Sequence, residues 1–198
     1  MKKLSAIVCI LTVILCSAAD TAPKAKLKVA ADGFPSGQDT PEGAACDLAR
    51  AFVDHDVALF TKTCIQPYSG ETGKKGPADY VKFLADKVAE IKTEAGKKEP
   101  SPGGPKSLGK VFAARHLSKN GPASAGYAIF GFRDIMFVDV GVFLHNGGHA
   151  LIRTLVIKDS DRKWHVHPMP SVSPLLSDGL NDESASKQDF SEVYEIQK

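Results

Sequence analysis

The sequence has few of the residues that small metal-binding or disulfide-rich domains require. It contains four cysteines in 198 residues, and two of these, Cys46 and Cys64, lie beyond the first nineteen residues. No Cys-x-x-Cys pair and no cysteine–histidine spacing of the zinc type occurs. We therefore expect no metal site and no cofactor. The longest apolar run, residues 4–16, is shorter than the ~20 residues that span a bilayer, so we expect no stable membrane span in the mature chain.

The first nineteen residues have the pattern of a secretory signal. Lys2 and Lys3 precede the apolar run, and the small residues Ser17-Ala18-Ala19 follow it. This order predicts cleavage after Ala19 and export to the periplasm or the extracellular space. An uncleaved anchor is the alternative.

Beyond this predicted signal peptide, residues 1–19, neither sign of charge is in excess. Two of the 25 basic residues lie within it, which leaves 23 basic residues against 23 acidic ones. A neutral mature chain argues against nonspecific binding to nucleic acid, which needs a basic face. Residues 20–40 are polar with scattered proline and glycine, which predicts a linker. Residues 174–198 predict an acidic tail, with apolar residues at the spacing of a short docked helix: Phe190, Val193 and Ile196.

Residues 41–173 predict one domain that begins with helices. Thr40 is suited to cap a helix whose first position is Pro41. Apolar residues recur at helical spacing on both sides of Asp54-His55-Asp56, which indicates either two short helices in a hairpin or one kinked helix. A further amphipathic helix is predicted from Pro77 to Gly96.

The two mature cysteines suggest how the first helices face each other. Cys46 and Cys64 each lie nine residues from His55. Because positions symmetric about the turn of an antiparallel helix pair face each other, a Cys46–Cys64 disulfide is one interpretation. Such a bond would contribute roughly 3 kcal/mol to stability. The alternative is two buried thiols that pack as small hydrophobic residues.

From Leu108 the pattern changes to runs typical of β-strands, separated by short polar turns. Turns of hairpin length predict an antiparallel meander. Helices followed by strands predict an α+β domain in which the helices pack on one face of a curved antiparallel sheet. The turns are Asn120-Gly121, Arg133-Asp134, Asn146-Gly147-Gly148 and Asp159-Ser160-Asp161.

The segments "ACDLARAFVDHDVALF" and "LVIKDSDRKWHV" together resemble the nuclear transport factor 2-like superfamily, including its SnoaL-like branch, over residues 42–172. Trp164 and Val166 match the Trp-x-Val of its last strand, whereas Pro168 and Pro170 depart from the spacing beyond it. The resemblance implies a cystatin-like cone with a pocket between helices and sheet. Members include isomerases, dehydratases, transport adaptors and binding domains, so the fold alone does not give the function.

Strand alternation predicts which side chains share a face. A two-residue turn at Ser160-Asp161 would pair Val156 with His165, so that His165 and His167 point outward and Trp164 fills the core. The expected inner face then also holds odd-numbered residues of the preceding strand: Leu151, Arg153, Leu155 and Ile157. A His-x-His pair supplies only two metal ligands, so we expect ordinary strand residues.

Asp139 and Arg153 are the candidate site residues. An unpaired guanidinium on an apolar face is very costly, so Arg153 is a candidate binder of an anion or a carbonyl group. Asp139 interrupts an apolar strand and is a candidate base, because burial raises the pKa of a carboxyl group. Tyr127 and Tyr80 are candidate hydrogen-bond donors to the ligand. The alternative is a structural Asp139–Arg153 ion pair.

The turn before Arg153 leaves the strand register open. A two-residue turn at Asn146-Gly147 places Asp139 opposite Thr154. A three-residue loop at Asn146-Gly147-Gly148 places Asp139 on the face of Arg153.

Two classes of function follow. The first is an exported, noncatalytic module that binds a small hydrophobic ligand or a protein partner through the pocket or the sheet face. Strands such as "IMFVDVGVFL", apolar on both sides, would also suit a homodimer. The second is a SnoaL-like lyase or isomerase that acts on a hydrophobic carbonyl compound, with Asp139 as base and Arg153 as binder. A third, an interaction domain acting through the acidic tail, has less support.

Overall fold

A computed structural model describes most of the chain. The described ranges are residues 26–65, 78–116, 134–159, 161–168, 171–174 and 195–197. The predicted signal peptide, Tyr127 and the strand expected near it lie outside these ranges. The helices are α1 (Pro41–Val53), α2 (Val57–Thr63) and α3 (Ala78–Ala95). The strands are β1 (Lys26–Val29), β2 (Pro35–Ser36), β3 (Pro105–His116), β4 (Asp134–Leu144), β5 (His149–Lys158), β6 (Trp164–Val166), β7 (Ser171–Pro174) and β8 (Glu195–Gln197).

The helices begin and end where the sequence pattern predicts. The Thr40 hydroxyl accepts a hydrogen bond from the Gly43 N–H at 3.1 Å, with Pro41 in the first turn. Asp56 caps α2 in the same way, through the Leu59 N–H at 2.9 Å, so the break at residues 54–56 separates two helices. Within the described ranges, none of the helices has both the length and the apolar content needed to cross a membrane.

The main sheet is antiparallel and has the strand order β3-β4-β5-β6. The edge of β5 is shared, because β6 pairs with its second half and β7 pairs with its first half. Pro168 follows β6, where a residue without an N–H cannot continue the ladder. The predicted α+β class, with helices packed on an antiparallel sheet, is confirmed.

Both hairpins of this sheet differ from their predicted register. Phe143 pairs with His149, and three residues ending at Gly147 (φ 81°) form the loop of the first hairpin. In the second hairpin the Asp159 N–H donates to the Lys163 carbonyl, and Arg162 has a φ of 64°. A three-residue loop whose last residue is left-handed shifts the pairing by one position relative to a two-residue turn.

This shift corrects the predicted faces. Val156 pairs with Val166 rather than with His165. The face turned to the helices therefore contains the even-numbered residues of β5, and the predicted inner face is wrong. Trp164 does point into the core and His165 does point to the other face, as predicted. The buried inner-face residues are Val138, Val140, Val142, Ala150, Ile152, Val156, Trp164 and Val166, packed against Ala44, Ala45, Leu48 and Phe60.

The segment expected to be a linker is packed from residue 26 onward. β1 pairs with β2 and, in parallel, with β8, so part of the expected acidic tail docks as a strand rather than as a helix. Arg50 of α1 fixes this segment, since its guanidinium donates to both oxygens of Asp32, to one oxygen of Asp47 and to the carbonyls of Pro35 and Phe34. Burial is the largest single influence on the pKa of Asp32 and would raise it, but the hydrogen bonds from Arg50 and from the Phe34 N–H, together with the charge of Arg50, lower that pKa on balance.

Candidate functional site

The Asp139–Arg153 pair lies on the outer face of the sheet, away from the helices. The two residues are directly opposite each other in the β4–β5 ladder. Arg153 donates from Nε and Nη2 to the two carboxylate oxygens of Asp139, each at 2.8 Å. The Asp139 side chain is 10% exposed and that of Arg153 is 43% exposed. Neither register considered from the sequence is the observed one, although the three-residue alternative placed Asp139 on the correct face.

This geometry is that of a structural ion pair. A bidentate guanidinium–carboxylate contact forms two charge-assisted hydrogen bonds, and the hydrogen bond to Asp139 raises the pKa of Arg153. Neither residue lines the cavity between the helices and the sheet. The expectation that Asp139 and Arg153 line that cavity is therefore not met. Tyr80 lies in the first turn of α3, and its side chain is outside the described part of the structure.

The two cysteines are buried thiols, and no bond joins them. Burial in the helix–sheet core raises the pKa of both thiols. A raised thiol pKa disfavours the nucleophilic thiolate. The structure thus corresponds to the second interpretation of the cysteine pair, two small residues that fill space beneath the sheet.

The two histidines in and just after β6, His165 and His167, contact different groups. His165 Nε2 lies 3.0 Å from an Asp161 carboxylate oxygen, and its Nδ1 lies 3.0 Å from Gln38 Nε2. His167 follows β6, where its N–H donates to the Leu155 carbonyl, and burial lowers the pKa of its imidazole. Among the residues described, no cluster of three or more metal-ligating side chains occurs.

A cavity of about 520 Å³ lies between the helices and the inner face of the sheet. It lies near the β4–β5 hairpin, and the loop of residues 100–105 forms one of its sides. That loop is held to the hairpin by two backbone hydrogen bonds, from His145 N–H to Gly104 and from Asn146 N–H to Pro102. The apolar lining consists of Phe52, Phe83, Val142, Leu144, Ala150 and Ile152.

One stripe of α3 supplies much of the polar rim. Phe83, Lys87, Glu90 and Glu94 are spaced by four, three and four residues, which places them on one helix face. Lys87 Nζ lies 2.6 Å from a Glu90 carboxylate oxygen and 5.8 Å from the centre of the Phe83 ring. The rim is therefore charged but internally paired on the side of α3.

The other polar rim residues come from two turns and a loop. His55 lies between α1 and α2 and is half-buried, with a φ of 53°. His145 lies at the tip of the β4–β5 hairpin. Ser101 donates a hydrogen bond of 2.8 Å to Glu94. The hydrogen bond from Lys97 is the main cause that lowers the pKa of Glu94, and the nearby His55 adds a smaller contribution in the same direction.

The resemblance implies a pocket between helices and sheet, but the sequence does not identify the residues that line this cavity. His55 is visible in the sequence only at the break between two predicted helices, and α3 is predicted from its apolar stripe. One signal was present, because Lys87, Glu90 and Glu94 continue the helical spacing of Phe83 on a face adjacent to the apolar stripe. The contribution of the loop at residues 100–105 had no such signal.

Comparison with known proteins identified no relative of this chain. A scan of protein-family models, a search of curated proteins and a search of solved structures each found no match to the chain.

Proposed function

We propose that this protein is an exported, noncatalytic module that binds a small hydrophobic ligand in the cavity between its helices and its sheet. The supporting observation is the cavity itself. Its volume of about 520 Å³ lies within the ~300–1,000 Å³ typical of small-molecule sites. The aliphatic and aromatic side chains of its lining are called the floor, and its polar side chains are the rim residues described above.

The energetics of the floor favour an apolar occupant. Covering apolar surface contributes roughly 25 cal/mol per Å² removed from water, whereas the floor offers an occupant no charged partner. The polar rim can then fix the orientation of one end of the ligand. Export through the signal peptide and membership in the nuclear transport factor 2-like superfamily, with its cone-shaped pocket, belong to the same proposal. A homodimer through the outer sheet face is a further part of it.

The lyase or isomerase alternative has less geometric support. It requires Asp139 to act as a base on a ligand in the cavity, with Arg153 as binder. Both residues lie on the face of the sheet opposite to the cavity, and Arg153 donates two hydrogen bonds to Asp139. The two buried cysteines also offer no activated nucleophile. These observations favour binding over catalysis.

The test uses a fluorescent apolar probe, N-phenyl-1-naphthylamine, titrated into the full chain. Saturable enhancement of fluorescence is expected. Ala150→Phe places a ring inside the cavity and is expected to weaken binding at least about tenfold. The matched control is Leu151→Phe, which introduces the same ring at the next residue on the opposite face. It is expected to leave the affinity within about twofold of the unmodified chain.

A second variant covers the case in which Ala150→Phe does not fold. Gly103 lines the cavity, and a Cβ built there has no atom within 4 Å. Gly103→Phe therefore adds a ring at the lining of the cavity without crowding the core, and it should also weaken binding of the probe. Nonsaturable enhancement, or equal affinity in all four proteins, would contradict the proposal.

A further inference from the structure

The acidic groups at the cavity rim are already engaged by donors of this chain. Glu94 Oε1 accepts from Lys97 Nζ at 2.5 Å and Glu94 Oε2 accepts from Ser101 at 2.8 Å. Glu90 accepts from Lys87 at 2.6 Å. A cationic ligand would need a carboxylate that is available, so these pairs argue against an ammonium group in this position.

The imidazoles of the rim are available instead. Within the described part of the chain, the ring nitrogens of His55 and His145 make no hydrogen bond to the protein. His55 is the better placed of the two, because it is half-buried beside Phe52 whereas His145 is exposed. A neutral imidazole has one N–H donor, and a protonated imidazole has two.

We propose that the ligand of this cavity has an oxygen acceptor, a carbonyl or a carboxylate, at one end of an apolar body, and that the His55 imidazole donates a hydrogen bond to it. This inference rests on the proposed ligand-binding function and adds the polar group that the ligand presents.

The experiment compares three naphthalenes of nearly equal size, each displacing N-phenyl-1-naphthylamine from the full chain. They are 2-ethylnaphthalene, which lacks an acceptor, 2-acetylnaphthalene, with a neutral carbonyl, and 2-naphthoic acid, with a carboxylate. One hydrogen bond corresponds to about a three- to tenfold gain in affinity. We expect that gain for one or both oxygen-containing probes over 2-ethylnaphthalene.

The variant His55→Gly removes the imidazole and suits a φ of 53°, which glycine adopts without steric cost. It should abolish the gain from the oxygen while leaving the affinity for 2-ethylnaphthalene unchanged. The control is His149→Ala, which removes an imidazole on the outer face beside Phe143. It should leave all three affinities as they are.

Two failures are distinguishable. If all three naphthalenes displace the probe with equal affinity, or if His55→Gly retains the gain, the cavity binds apolar ligands but His55 does not anchor them. If none displaces the probe and the probe itself does not saturate, the proposed function fails together with this inference.

Discussion

The two faces of the main sheet are built from alternate residues of the same strands and differ in almost every other respect. On the inner face, Val138, Val140 and Val142 of β4 are at most 1% exposed and pack beneath α1. On the outer face, the residues between and beside them form the Asp139–Arg153 ion pair and a smaller apolar cluster of Leu155, Ile157 and Ile65. Alternation along a strand thus separates the core and the cavity from the charged pair.

The inner face is also uneven along its length. Trp164 lies opposite Lys158, at the end of β5 farthest from the β4–β5 hairpin, where its indole fills the space under the helices. Ala150 and Val142 pair near that hairpin, and they are small. The cavity lies at this hairpin end. The position of the one large ring and of the small residues therefore decides where space remains between the layers.

The largest effect is expected at the filled end of the inner face. Trp164 is 6% exposed, and Lys158 Nζ lies 5.6 Å from the centre of its ring. Trp164→Ala should lower the free energy of unfolding by about 3–5 kcal/mol, because truncating a buried aromatic residue leaves a cavity. Urea denaturation followed by far-UV circular dichroism measures this loss.

The matched change on the outer face is Leu151→Ala. Leu151 is half-buried, so its truncation should cost about 1–2 kcal/mol, well below the cost at Trp164. Equal losses at the two positions would mean that the two faces are equally buried and that the helices do not define the core.

An effect of similar size to that at Leu151 is expected at the ion pair. Asp139→Asn removes the negative charge that Nε and Nη2 of Arg153 contact. The loss is limited because the Arg153 side chain is partly solvated. The free energy of unfolding should therefore fall by only about 1–2 kcal/mol. Binding of N-phenyl-1-naphthylamine should be unchanged. Asp139→Leu, which cannot hydrogen-bond, is the companion variant, and loss of probe binding in both would place the pair in the ligand site after all.

The helices could be predicted closely because their signals are local. Thr40 with Pro41 marks the start of α1, and Gly96 follows the last residue of α3. The register of the two hairpins could not be predicted in this way, because each register depends on one residue in a left-handed conformation. Gly147 is suited to that conformation, but Arg162 is not a residue type that signals it. An error of one residue there exchanged the two faces of β5.

The cavity was less predictable than the fold. Its lining comes from α1, the turn at His55, α3, the loop of residues 100–105 and two strands, so no single sequence window contains it. The packing of residues 26–40 was missed for a related reason. Arg50 looks like an exposed helical residue in sequence, and only the folded chain brings Asp32 and Asp47 to its guanidinium. A network that depends on contacts between distant segments has no local signature.

The smallest predicted effect concerns His167, which shows that the outer face also buries polar groups. Burial lowers the pKa of this imidazole in the folded chain below the ordinary value of about 6.5. Below pH 6.5 the unfolded chain then binds more protons at this imidazole than the folded chain does. The contribution of His167 to the free energy of unfolding is therefore fully present above that pH, and it is lost as the pH falls through the folded-state pKa. The decline cannot exceed about 1.4 kcal/mol per pH unit. Urea denaturation at pH 7.5 and 5.5 should show a smaller loss in both His167→Gln and His167→Asn than in the unmodified chain, and an undiminished loss in both variants would show that this imidazole is solvated when the chain is folded.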